Sequence, residues 1–176
     1  MTREYPEDVA GPYDSPPRSF DDRTGRHIEV RRYDGEIETL LEMYRRFDPE
    51  DRAQGIPPTS ENQIRSWLDT LLVDECINVV AWHEEMPIGH ALLVPDGQDA
   101  FELAIFVLGE YQNAGIGTEL IQGLLGAGRE DGVEYVWLTV ERWNKPAIAL
   151  YRKVGFAPTD DGSFELEMAA KLIGDD

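Results

Sequence analysis

The residues with the clearest chemical potential are Gln112-Asn113-Ala114-Gly115-Ile116-Gly117, which follow an apolar, β-prone run at 101–107 and precede an amphipathic helical pattern starting near 115. A strand that turns through glycine into a helix makes an anion site. The first N–H groups of the helix have no acceptor within it, they converge, and the helix dipole adds positive potential. Gly115 and Gly117 permit close backbone approach and dihedrals that other residues resist. The same glycines would serve tight packing alone, so the turn by itself leaves both roles open. Two phosphate motifs fail on spacing. A dinucleotide fingerprint needs a third glycine at 120, which is Leu120, and belongs after the first strand of a βαβ unit. A nucleoside-triphosphate loop needs Gly-Lys-Ser/Thr, which is absent.

What remains is Gln-x-x-Gly-x-Gly inside a longer pattern. The stretch Glu102-Leu103-Ala104-Ile105-Phe106-Val107-Leu108-Gly109-Glu110-Tyr111-Gln112-Asn113-Ala114-Gly115-Ile116-Gly117-Thr118 resembles motif A of the GNAT superfamily of N-acetyltransferases. A second block, Asn144-Lys145-Pro146-Ala147-Ile148-Ala149-Leu150-Tyr151-Arg152-Lys153-Val154-Gly155-Phe156, resembles that superfamily's motif B, with its Asn, its Ala-x-x-Leu-Tyr and its Gly-Phe. The blocks stand in the expected order with a strand between them. The resemblance is strong from about 101 to 158, and the element order from 27 onward fits the same fold.

The resemblance implies an acetyl-CoA cosubstrate; no metal is expected from the histidine spacing. Backbone groups of Ile105, Phe106 and Val107 would pair with the pantetheine arm like an added strand. Gln112 and the turn through Asn113, Ala114, Gly115, Ile116, Gly117 and Thr118 would hold the pyrophosphate, Asn144 would bind the pantetheine or the neighbouring backbone, and Tyr151 would lie near the thioester sulfur. Gly109 stands where proline is common, a departure that can loosen the turn but leaves its donors.

Acetyl transfer to an amine requires that the amine lose a proton, that the carbonyl oxygen be stabilised as it becomes negative, and that the departing thiolate receive a proton. Tyr151 is the candidate acid; its plainer role is a helix-face core residue. Glu102 is the candidate base, on the pattern Glu-Leu-Ala-Ile-Phe-Val found in part of the superfamily; its plainer role is one solvated carboxylate among many. Glu141 is the reserve base, and a water relay would also serve. Thr139 occupies a position where some members that modify protein N-termini carry Glu, which counts against such acceptors. The expected reaction is direct transfer of acetyl to a primary amine, on a small molecule or peptide, in a ternary complex. The alternative is a non-catalytic acyl-CoA-binding regulatory domain of the same fold, and a nucleotide-binding module is a third reading. Homodimers are common in the superfamily, and a homodimer is admissible here.

Other chemistry-bearing residues are read as structural. His27, His83 and His90 lack metal-ligand spacing. Cys76 is the lone cysteine, in an apolar neighbourhood that marks a small core residue, and Trp67, Trp82, Trp137 and Trp143 read as core or interface residues, with Trp143 a possible border of the acceptor site.

Positioning the site takes a mixed α/β fold, expected as a six- to seven-stranded sheet splayed between its fourth and fifth strands and flanked by about four helices. Alternation and periodicity predict strands at 27–33, 76–82, 88–94, 101–107 and 135–140, with the last strands at 156–157 and 164–172. Helices are predicted at about 35–47, capped by Asp34, from Ser60 with a capping box to Gln63, at 115–130, and from Asn144 to Gly155. Pro16-Pro17 and the polar composition predict a flexible or loosely docked leader at 1–26, before a domain at 27–176. A three-proline connection at 48–58 is a candidate functional loop.

With 176 residues, one such domain has room for a full core. The net charge of −19 makes nucleic acid and anionic membranes poor partners. Only three of the 16 basic residues, Lys145, Lys153 and Lys171, are lysines, and this balance resembles cytoplasmic proteins of salt-loving organisms, where salt screens the repulsion. A basic protein or peptide substrate is the competing account of the charge. The N-terminus has no secretory pattern, and the expected location is the cytoplasm.

Overall fold

The computed structural model describes residues 3–48, 58–160 and 164–174. Within them the elements run β1 (Arg18–Asp21), β2 (His27–Arg32), α1 (Ile37–Arg45), α2 (Glu61–Leu71), β3 (Ile77–His83), β4 (Met86–Pro95), β5 (Phe101–Val107), α3 (Ile116–Glu130), β6 (Tyr135–Glu141), α4 (Lys145–Lys153), β7 (Ala157–Asp160) and β8 (Glu165–Lys171). The strands form one mixed sheet of order β1-β2-β3-β4-β5-β6-β8-β7. Neighbours are antiparallel except β5 and β6, which run parallel because α3 carries the chain back across the sheet.

The expected mixed α/β architecture and four helices are present, with one strand more than expected. The eighth is β1, in the segment read as a leader. Pro16 and Pro17 bar regular structure only at their own positions. Directly after them Arg18, Ser19, Phe20 and Asp21 pair with Val30, Glu29, Ile28 and His27. Residues 3–15 act as a strap. The Arg3 guanidinium lies 3.8 Å from the Trp137 ring centroid and bonds Glu167. Val9 forms a parallel bridge to Lys171, and the Ala10 N–H donates to the Lys171 carbonyl at 2.8 Å. The Tyr13 hydroxyl donates to the Val154 carbonyl at 2.5 Å and Ser15 Oγ to the Gly126 carbonyl at 3.2 Å. Gly126 permits that crossing, since a Cβ there would stand 2.7 Å from the Asp14 carbonyl oxygen.

Helix α1 begins at Ile37 after Glu36, without a side-chain cap, so Asp34 does not play the role expected of it. Phe47 lies past the helix end yet stays buried, stacked on Tyr44 at 5.4 Å. Ser60 caps α2 as expected, its Oγ accepting from the Gln63 N–H at 3.2 Å. Cys76 sits just before β3 and is half-buried rather than core, and Trp143 is exposed. The connection at 49–57 lies outside the described residues.

The core between the helices and the sheet contains one polar chain. Asn78 Nδ2 donates to the Leu71 carbonyl at 2.8 Å, which fixes the amide so that its Oδ1 accepts from His90 Nε2 at 2.8 Å. His90 Nδ1 then accepts from the Tyr44 hydroxyl at 2.7 Å. Complete burial holds the imidazole neutral, its pKa lowered to about 3. His90 is a core histidine that sets the rotamer of Tyr44, and Tyr44 in turn packs edge-on against Trp67 and Phe106.

Candidate active site

The site begins where the sheet opens. β5 and β6 pair only through Phe101 with Val136 and Glu102 with Trp137. Beyond that, β5 stays with β4 as far as the Val107–Gly89 pair, while β6 follows β8 to the Glu141–Glu165 pair. The β6-facing edge of Leu103, Ala104, Ile105, Phe106 and Val107 is left without a strand partner. At about 3.3 Å per residue this open edge is roughly 16 Å long, and its outward-facing amides and carbonyls, the Val107 carbonyl aside, suit an extended guest.

The edge leads into the glycine turn. The Leu108 N–H donates to the Ile88 carbonyl at 3.0 Å, and a single 3-10 turn, Gly109–Tyr111, follows. Asn113 and Gly115 both take left-handed backbone, φ 60° and 88°, which asparagine tolerates and glycine adopts freely. Gly115 is the N-cap of α3 and supplies no side-chain cap, so the first-turn N–H groups face outward with the helix dipole behind them.

These groups face a cleft of about 380 Å³. Val107, Gln112, Asn113, Gly115, Gly117 and Thr118, all expected at the cofactor site, line it together. Ala114 and Ile116, also expected there, are buried and do not line it. Ile105 and Phe106 lie on the open edge outside the cleft, and the Phe106 ring turns to the α1–α2 side, 5.4 Å from Trp67. Gln112 Nε2 donates to the Val107 carbonyl at 3.0 Å, bracing the turn against the strand end. Asn144 Oδ1 caps α4 by accepting from the Ala147 N–H at 3.3 Å, the backbone role among the two expected of it.

Glu102 and Tyr151 come from different elements, β5 and α4, and neither lines the cleft. Tyr151 is buried, edge-on to Phe156 at 6.1 Å, and burial pushes its hydroxyl up to about 12. It is therefore a protonated group at neutral pH. Glu102 holds the last paired position before the splay, and its side chain shares a sheet face with Phe106 by alternation. Desolvation raises its carboxyl above the usual range, helped by Asp96 and Glu165 and opposed by Arg3. Glu141, the reserve base, stands at the splayed end of β6. Among the described residues, no group of three His, Cys, Asp or Glu gathers as a metal site.

The cleft also has walls that the sequence reading did not assign. Ala147, Leu150 and Lys153 of α4 face the turn. Arg23, from the loop between β1 and β2, completes the rim. Lys153 falls inside the second motif, but its direction depends on helix phase. Arg23 has only a hairpin signal, Asp-Arg-Thr-Gly between two alternating runs, and nothing in its spacing links it to residue 113.

Comparison with known proteins agrees with this geometry. The sequence profile described as the Acetyltransferase (GNAT) family matches residues 37–156. An N-alpha-acetyltransferase of Sulfurisphaera tokodaii is 46% identical over 55 residues, which is 31% of this chain and 33% of that protein. That protein and an N-acetyltransferase of Bacillus subtilis are matched over no more than a third of their own length. Among solved structures, the GNAT domain of S. lividans PAT superposes with a TM-score of 0.76 at 15% identity, covering 89% of this chain and 97% of that one. A ribosomal-protein-alanine N-acetyltransferase from Brucella melitensis gives a TM-score of 0.67 at 24% identity, covering 81% and 99%. At such identities the superpositions speak for the fold.

Proposed function

The chain belongs to the acetyltransferase (GNAT) family, and on that ground we propose that it moves an acetyl group from acetyl-CoA to a primary amine by direct transfer in a ternary complex. The observation that carries this reading is the continuity of the open β5 edge with the left-handed turn and the uncapped start of α3. An extended amide-bearing arm ending in a pyrophosphate has the shape and charge that this surface complements: strand-like pairing at Ile105, Phe106 and Val107, then N–H donors at the helix start.

In the proposed mechanism Glu102 takes a proton from the incoming ammonium, directly or through water. The neutral amine forms its bond to the thioester carbonyl carbon, and the negative oxygen of the tetrahedral adduct is stabilised by backbone donors at the splay. As the carbon–sulfur bond breaks, Tyr151 gives its proton to the departing thiolate; the nitrogen sheds its remaining extra proton, which returns to Tyr151 through water, and Glu102 passes its own proton to solvent. The raised pKa of Tyr151 keeps its proton available at neutral pH.

The acceptor approaches from the α1–α2 side, where Phe47, Trp67 and Phe106 surround Tyr44. The reading stops at the primary amine, on a small molecule or peptide. It includes a cytoplasmic home, fitted by a thioester made inside cells and by a lone cysteine, and a salt-rich one, fitted by the −19 charge. No helix among the described residues is long and apolar enough to cross a membrane.

Thermal shift in molar salt tests the cofactor. At a hundredfold excess over its dissociation constant, acetyl-CoA should add about 2.7 kcal/mol, roughly 5–10 °C in Tm for a chain of this size. A shift with ATP or NAD and none with acetyl-CoA would sink the proposal. CoA release across a panel of amines then identifies the acceptor class.

A further inference from the structure

The turn at the proposed cofactor site carries no cation of its own: Gln112, Asn113, Ala114, Gly115, Ile116, Gly117 and Thr118 are all uncharged. The cleft is nevertheless a basic place on an acidic protein. The chain has 35 acidic residues, yet no carboxylate lines this cleft, and two cations do, Arg23 and Lys153. Neither has an ion-pair partner among the described residues. Arg18, Arg26, Arg32, Arg45, Arg46 and Arg65, by contrast, each face a carboxylate. On a surface where carboxylates outnumber cations about two to one, cations left unmatched beside open helix donors mark a site for a polyanion.

Arg23 is held at the cleft by a loop with little freedom. The Asp22 carboxylate accepts from the backbone N–H groups of Thr24 and Arg26, both at 2.9 Å, from the Thr24 hydroxyl at 2.9 Å and from Arg26 Nε at 2.7 Å. These bonds outweigh desolvation and hold the carboxyl down at about 2. The loop then clasps the turn. The Arg23 N–H donates to the Ala114 carbonyl at 3.0 Å, while Arg26 donates to the Glu110 carbonyl at 3.2 Å and covers the Tyr111 ring at 4.1 Å. The Arg23 guanidinium is left beside Gly115, where a Cβ would stand 3.8 Å from its Nε. Among the described residues its guanidinium makes a 3.5 Å contact with the Asn113 carbonyl, easily exchanged for a stronger acceptor.

We infer that Arg23 is a cofactor-positioning residue: its guanidinium grips a pyrophosphate oxygen of the acyl-CoA from the β1–β2 loop, opposite Lys153 on α4. This rests on the acetyltransferase reading and adds to it a cation supplied by the segment before the family's matched region. A planar guanidinium makes directional, charge-assisted bonds to phosphate. The contact is also what a salt-rich setting demands. At 1 M ionic strength charges are screened over about 3 Å, so a cation attracts the cofactor only by touching it.

The test compares wild type, Arg23→Ala, Arg23→Gln and Arg23→Lys with three thioesters: acetyl-CoA, acetyl-dephospho-CoA and acetyl-pantetheine, which lacks the pyrophosphate. The loop's latch is the backbone N–H of residue 23, so the side-chain variants keep it. Arg23→Ala and Arg23→Gln should raise KM for acetyl-CoA and acetyl-dephospho-CoA alike by about tenfold or more, with kcat within about twofold. Arg23→Lys should recover part of the loss. With acetyl-pantetheine the variants should match wild type. An equal penalty with acetyl-pantetheine would make Arg23 a brace for the turn and overturn the inference. So would no penalty at all, or a penalty confined to acetyl-CoA, which would move the contact to the 3′-phosphate. Wild type that binds none of the three sinks the acetyltransferase reading itself, and this inference with it.

Discussion

Tyr151 and Glu102 both have raised pKa values, but as the proposed donor and acceptor they should leave opposite marks on a pH profile. Tyr151 must be protonated to act, and with its hydroxyl pushed up to about 12 it stays so across the working range. Tyr151→Phe should therefore lower kcat by about 10²-fold at every pH from 7 to 9, leaving KM for acetyl-CoA and Tm nearly unchanged. Glu102 must be ionised to act, and its carboxyl lies above the ordinary range. The kcat/KM profile should fall on the acid side with a midpoint above that of a free carboxylate, and Glu102→Gln should flatten that limb at a cost of about 10- to 100-fold. A variant that keeps the wild-type limb would transfer the base role to Glu141 or water. At this scale the turn was legible because it belongs to a contiguous pattern. Arg23 was not, since its partner Asn113 is 90 residues away and only the fold makes them neighbours. The bracing bond of Gln112 to Val107 was equally hidden, because spacing shows that an amide is present and not which way it points.

Among the elements, α3 does two jobs, and two of its glycines mark them. Gly115 opens the helix to the cleft, whereas Gly126 lets the strap cross. Helix propensity alone predicts that Gly126→Ala would stabilise the protein by about 1 kcal/mol. The crossing predicts the reverse, because the new methyl would lie 2.7 Å from a backbone oxygen that cannot rotate away. We expect a net loss of about 1–3 kcal/mol, a fall of several degrees in Tm by calorimetry. An unchanged or higher Tm would show that the strap yields there at little cost. Alternation and capping made most elements readable, as with the Ser60 and Asn144 caps. β1 escaped because Pro16 and Pro17 coloured the whole segment around them. The splay was accessible only through resemblance, since periodicity describes each strand by itself and says nothing of where two strands part.

At the scale of the whole molecule, repulsion among the carboxylates should make stability depend on salt. Tm should rise by several degrees between 0.1 M and 2 M KCl as screening shortens from about 10 Å toward 3 Å and below. A flat or falling Tm would favour a basic partner as the reason for the charge. The strap carries a different consequence, one of timing. Its stations are α3, the end of α4 and the last strand, where Ala10 meets Lys171. On a ribosome these residues emerge before α3, α4 and β8, so their final seat is not finished until β8 has been made. The strap thus settles only after β8 has formed, and the Arg23 loop, which follows the strap in the chain, ties completion of the proposed cofactor site to elements made long after it.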